Sequence, residues 1–198
     1  MAKSSTRPGV VIAAFAISLA IGLTGVLFLV GGFRTNVTAS SSIGGPFQLT
    51  DQTGATVSEK SLQGKPTLMF FGFTHCPDIC PTSLFEISEV LRAMGPDAGR
   101  INAYFVSVDP ERDTPEVMKS YLQSFDPHLK GLSGSPEDVA KVIKAYRVYA
   151  KKVPLKDGDY TMDHTAAVYL LDREGRFVAP FNLKQTPQQA AADLKRYF

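Results

Sequence analysis

Cysteine is almost missing from this chain of 198 residues: Cys76 and Cys80, in "FGFTHCPDICPTS" (71–83), are the only two. A pair so close in sequence cannot staple distant parts of a domain, so the fold has to rest on an apolar core. A hydrophobic content of 44% can supply that core for one domain of ordinary size plus a tail. Acidic residues are absent from the first fifty positions, which hold three of the 21 basic side chains and none of the 19 acidic ones. The remainder therefore carries 18 basic against 19 acidic residues, and the isoelectric point of about 8.5 belongs to the amino-terminal segment. Without a basic stripe in the domain, nucleic-acid binding has no electrostatic support. No internal repeat and no second domain is visible, and three histidines leave few candidates for an imidazole ligand.

A third absence is more local: no side chain between Pro8 and Phe33 is ionisable. The apolar stretch from Val10 to Val30 would span roughly 31 Å as a helix, against a hydrocarbon thickness of about 30 Å. It is longer than the h-region of a signal peptide, usually about 7–15 residues, although "VTAS" (37–40) offers small residues for cleavage. We read residues 1–9 as a cytoplasmic tail, 10–33 as a single transmembrane anchor and 34–45 as a flexible linker, with a domain over 46–198. Lys3 and Arg7 precede the span and only Arg34 follows closely, so the positive-inside rule places the domain in the periplasm or its equivalent. A bacterial inner membrane fits better than a mitochondrial one, because the residues before the span are too few for an amphipathic presequence.

What the domain does contain is an alternation of α and β signals. "FQLTDQTGATVSEK" (47–60) suggests an opening hairpin around "DQTG". "PTLMFFGF" (66–73) and "INAYFVSVD" (101–109) are apolar runs of strand length, separated by a predicted helix from about Pro81 to Met94 that "GP" closes. Thr114, Ser135 and Thr186 each precede a proline and predict helix N-caps, the last with Gln189 in capping-box position. Strands are expected at 147–153, 165–172 and 175–181, the last two joined through "DREG", with a polar loop over 154–163. A β-α-β unit followed by a hairpin and a terminal helix gives an α/β, thioredoxin-like fold with an added N-terminal hairpin. In that fold, cysteines at the end of the first central strand sit where chemistry is done.

Positions i and i+4 share a helix face, so Cys76 and Cys80 can point two sulfurs at one spot. Three readings stand. A disulfide closing so short a loop removes only about 2 kcal/mol of unfolded-chain entropy. A thiol–disulfide oxidoreductase would use the pair as nucleophile and resolving thiol, one residue wider than Cys-x-x-Cys. A metal site would need a third ligand. His75 adjoins Cys76 and should point away, and His128 lies in a polar loop. His164, in "YTMDHTAAVYLL", precedes a predicted core strand, where a histidine is more often structural than a ligand. Two thiolates with one imidazole suit Cu(I), or Cu(II) with a further donor, better than structural zinc.

"GFTHCPDICPTS", "VSVDPERDTP", "GLSGS" and "DHTAAVYLLDREGRFV" together resemble the Sco/SenC/PrrC family of membrane-anchored copper-binding proteins, from about Pro46 to the carboxyl terminus. The resemblance implies one copper, Cu(I), Cu(II) or both, held by Cys76, Cys80 and His164, with Asp163 and His75 as outer residues. Relatives often have tyrosine at the position of His75. The implied partners are the cytochrome c oxidase subunit carrying the copper A site and other periplasmic copper chaperones or thiol oxidoreductases. The implied role is delivering copper to that site or reducing its cysteines; the alternative is a thiol–disulfide oxidoreductase or redox sensor using a Cys76–Cys80 disulfide, and enzymatic turnover is left open. Asp109, Pro110, Asp113 and Pro115 match a further family element, which we read as turn and helix-cap chemistry.

Overall fold

The apolar run at 66–73 becomes the middle of a sheet in the computed structural model, which describes residues 18, 43–156 and 158–198. Strand β3 (Thr67–Gly72) is buried at all six positions, as a strand covered on both faces must be. Helix α1 (Ile79–Met94) crosses over it, burying Leu84, Ile87, Leu91 and Met94 on one face, and returns the chain to β4 (Asn102–Ser107). β4 lies parallel to β3, with Gly72 opposite Ser107, so the two strands end together. Gly95 closes α1 with φ of +57°, a value that favours glycine. Phe70, Phe71, Phe73 and Phe105 are essentially fully buried, each worth about 2–3 kcal/mol relative to exposure.

The expected opening hairpin is β1 (Gln48–Asp51) with β2 (Thr56–Ser58), paired antiparallel. The three other helices begin where Ser/Thr-Pro predicts: α2 (Pro115–Leu122) after Thr114, α3 (Pro136–Ala145) after Ser135, and α4 (Pro187–Lys195) after Thr186. Each cap hydroxyl accepts a backbone N–H of the first turn, and Thr186 with Gln189 completes the capping box. β8 (Val168–Leu171) and β9 (Phe177–Pro180) form the closing hairpin, with β8 antiparallel to β3.

Two strands depart from expectation. β5 (Leu129–Ser133) falls where no strand is predicted and fills the place between β1 and β4, completing the order β2-β1-β5-β4-β3-β8-β9. The polar segment expected as a loop over 154–163 has strand at both ends: β6 (Ala150–Pro154) pairs antiparallel with β7 (Tyr160–His164) in a separate two-stranded sheet. His164 therefore ends β7, and β8 begins only at Val168 rather than at 165.

Apart from residue 18, the predicted tail and anchor, and the linker up to residue 42, lie outside the described residues. Among the described residues no helix is long and apolar enough to cross a membrane. The linker was expected to run to residue 45, yet Gly44 N–H donates to Ala145 O at 2.9 Å and Ile43 packs against the core, so 43–45 already belong to the domain.

Candidate metal centre

The two parallel strands β3 and β4 end side by side, and the chain leaving β3 carries the cysteines over that end. Gly72 makes the room: a Cβ there would lie 2.7 Å from Cys80 Sγ and 2.7 Å from Phe105 Cε2. Cys80 is buried against this floor, and burial pushes its thiol up from the ordinary value. Cys76 is half-buried one turn earlier. Asp78, the residue preceding α1, makes no side-chain cap bond; the Cys80 N–H instead points at Cys76 Sγ, 3.4 Å away. A sulfur thus occupies the place of a cap oxygen at a helix amino terminus, where negative charge is favoured.

His164 enters from the hairpin. Its Nε2 is 3.5 Å from Cys80 Sγ, and its ring meets Phe73 edge-to-face with centroids 5.7 Å apart. Nδ1 lies 3.1 Å from the Thr165 carbonyl oxygen, which can only accept. The proton therefore sits on Nδ1, leaving the Nε2 lone pair facing the sulfurs, the tautomer a ligating imidazole needs. Thr165 is itself held: its N–H donates to Tyr149 O at 3.0 Å, and its hydroxyl accepts from Tyr149 N–H at 3.0 Å. One donor atom each from Cys76, Cys80 and His164 lie within 4.8 Å of one another.

Asp163 and His75 both lie outside the cluster of three donors. Successive side chains on a strand alternate, so Asp163 faces away from His164 and is exposed, and the Thr165 carbonyl is the hydrogen-bond partner of the His164 ring. His75 is exposed, with Nδ1 3.0 Å from Thr74 Oγ1. His128 pairs with Asp126 at 2.8 Å and takes no part in the cluster.

The segment 109–113 does more than turn the chain. Its turn bonds are present, Asp113 N–H donating to Asp109 O at 3.0 Å, but both carboxylates reach further. Asp113, fully buried, accepts from the Thr74 hydroxyl at 2.6 Å, from Thr74 N–H at 3.2 Å and from the Ser107 hydroxyl at 2.6 Å. Burial raises its pKa while these hydrogen bonds oppose the rise. Asp109 accepts from Arg112 Nε at 2.5 Å and from the Tyr160 hydroxyl at 2.8 Å. Burial, then the bond to Asp109, pushes Tyr160 up to about 12. Asp109 and Asp113 belong to the element read from the sequence as turn and helix-cap chemistry, and nothing in the sequence marks Arg112, Tyr160, Ser107 or Gly72.

The SCO1/SenC family model matches residues 35–198. The chain belongs to the SCO1/SenC family. The mitochondrial SCO1 homolog 1 of Arabidopsis thaliana is 45% identical over 139 residues, 70% of this chain and 42% of that protein. A SCO2-like protein of Rickettsia felis is 37% identical over 191 residues, 90% of this chain and 93% of that one. The chain thus spans less than half of the plant relative and nearly all of the rickettsial one. A solved structure of Bradyrhizobium japonicum ScoI with copper bound is 76% identical, covers 79% of this chain and all of its own, and superimposes with a TM-score of 0.78. The thioredoxin-like fold is shared with these Sco structures.

Proposed function

We propose that this Sco protein binds one copper ion through Cys76, Cys80 and His164 and serves the assembly of the copper A site of cytochrome c oxidase. One observation carries the reading: two sulfurs and an imidazole nitrogen with its lone pair free lie within 4.8 Å of one another. Two soft thiolates with one imidazole match copper, and suit Cu(I) with three ligands or Cu(II) with a fourth. The copper-bound ScoI structure, at 76% identity, supports the same cargo. Bound copper supplies the charge that compensates two thiolates, one of them in a buried position. The protein's own part is to hold the sulfurs at a helix amino terminus and to fix the histidine tautomer.

The test is a copper titration of the reduced full-length chain in detergent, beside Cys76→Ser, Cys80→Ser and His164→Ala. The expected result is one copper per chain with affinity lost in each variant. Parent-like affinity for Cu(I) and Cu(II) in His164→Ala would overturn the ligand set.

Thiol–disulfide exchange is the second reading, favoured by the mutual closeness of the two sulfurs. The Cys76 thiolate would attack a partner disulfide, Cys80 would displace the partner's second thiol, and the partner would leave with two thiols while this chain keeps a disulfide. Stoichiometric reduction of an oxidised copper A subunit, surviving in His164→Ala, would favour it over delivery.

In both readings residues 10–33 anchor the chain in a bacterial inner membrane, tail inside and domain in the periplasm. The absence of any ionisable side chain from Pro8 to Phe33 supports this.

A further inference from the structure

We propose that Asp109, Arg112 and Tyr160 form a clamp that positions His164 opposite the cysteines before any metal arrives. The inference rests on the copper reading above but makes a separate claim, about what holds the histidine side of the site.

On β7, side chains alternate between faces, so Tyr160, Met162 and His164 share one face, with Tyr160 about 13 Å from His164 along the strand. Met162 and Ala150 of the paired strand pack against the core, so this face of the hairpin lies on the domain. A two-stranded ribbon is marginal by itself and needs such anchorage. Its anchor at the Tyr160 end is polar and part-buried. The Tyr160 hydroxyl donates to Asp109 Oδ1 at 2.8 Å, and Arg112 donates through Nη1 to the Tyr160 carbonyl oxygen at 3.0 Å and through Nε to Asp109 Oδ2 at 2.5 Å. The Arg112 guanidinium lies 3.7 Å from the centre of the Tyr160 ring, and Lys152 Nζ lies 3.8 Å from it. Asp109 is 3% exposed, so its charge is compensated here or not at all.

The same loop holds the cysteine side. Asp109 N–H donates to Ser107 Oγ, Ser107 Oγ–H donates to Asp113, and Asp113 receives both polar groups of Thr74, two residues before Cys76. An unbroken hydrogen-bonded path thus joins Thr74 to Tyr160. Segment 109–113 is the common mount of both halves of the site, and the clamp sets how far His164 reaches. These are positioning residues: none is among the three donors.

The test uses the reduced full-length chain in detergent with Tyr160→Phe, which removes only the hydroxyl, and Tyr160→Leu, which also removes the ring beside both cations. Amide exchange over 150–153 and 160–165 without copper should speed up about ten-fold in Tyr160→Phe and more in Tyr160→Leu. Cu(II) affinity should fall by roughly ten-fold, the usual scale for losing a partner that orients a ligand. In the His164→Ala background the same substitutions should change Cu(II) affinity no further, because the clamp acts only through that histidine. Exchange and affinity unchanged in both variants would overturn the clamp, as would an equal affinity loss with and without His164. If His164→Ala itself binds copper like the parent, the ligand reading fails instead, and metal-free exchange alone decides the clamp.

Discussion

Gly72 has no side chain to give the site, yet the position of Cys80 depends on it. Its missing Cβ is the space in which Cys80 Sγ and the Phe105 edge meet, and both neighbours are buried with nowhere to retreat. Gly72→Ala should cost about 1–3 kcal/mol in urea unfolding and displace the sulfur, weakening copper binding, whereas Gly54→Ala, with open space around it, should leave copper affinity as it is. Parent-like stability and affinity in Gly72→Ala would contradict this packing. The cysteine pair was legible because rare residue types at close spacing carry chemical meaning, whereas His164, which its own position marks more readily as structural, is a ligand candidate through the family resemblance. The conditions that make them a site were not legible. A glycine at a strand end, the Thr165 carbonyl against Nδ1 and the tyrosine at the far end of the hairpin all act through contacts between segments distant in sequence. Asp163 shows the converse: it adjoins His164 in sequence, and strand alternation turns it to the other face.

At the level of elements, the strands that escaped notice lack an apolar run. β5 reads LKGLS, and its Gly131 is required by helix α2, whose Met118 Cε and Leu122 Cδ1 would stand 2.7 and 2.8 Å from any Cβ there. β7 reads YTMDH, only partly buried, and is a strand because β6 pairs with it residue for residue from Pro154–Tyr160 to Ala150–His164. Elements specified locally were legible: three Ser/Thr-Pro caps, the central strands and both hairpin turns. One such turn gives a pH prediction. Asp51 is buried; burial opposes its charge, but bonds from the Thr53 hydroxyl at 2.6 Å, Thr53 N–H at 2.8 Å and Ala55 N–H at 3.0 Å prevail and hold its pKa below the ordinary 3.8. A depressed folded-state pKa means that its contribution is present above 3.8 and disappears as pH falls through the lower, folded-state value. Asp51→Ala should therefore lose about 2 kcal/mol at pH 7 by urea unfolding and lose less than the parent on acidification below 3.8. Equal acid sensitivity of the two would contradict it. Thr186→Ala, removing the reciprocal cap of α4, should cost about 1 kcal/mol in the same assay.

For the whole molecule, the topology brings residues 76–80 and 164 together at the end of β3 and β4, while one loop, 109–113, mounts both sides. A reporter fused after Phe198 should be active only outside the cytoplasm if residues 10–33 anchor the chain as read; activity inside the cell would reverse the orientation. The central claim, that copper is held by both cysteines and His164, is tested most directly by X-ray absorption at the copper edge on the loaded, reduced full-length chain. The account predicts two sulfur neighbours and an imidazole signature in the parent, with the imidazole signature absent in His164→Ala and one sulfur fewer in Cys80→Ser. A spectrum without sulfur, or an imidazole signature unchanged in His164→Ala, would contradict it.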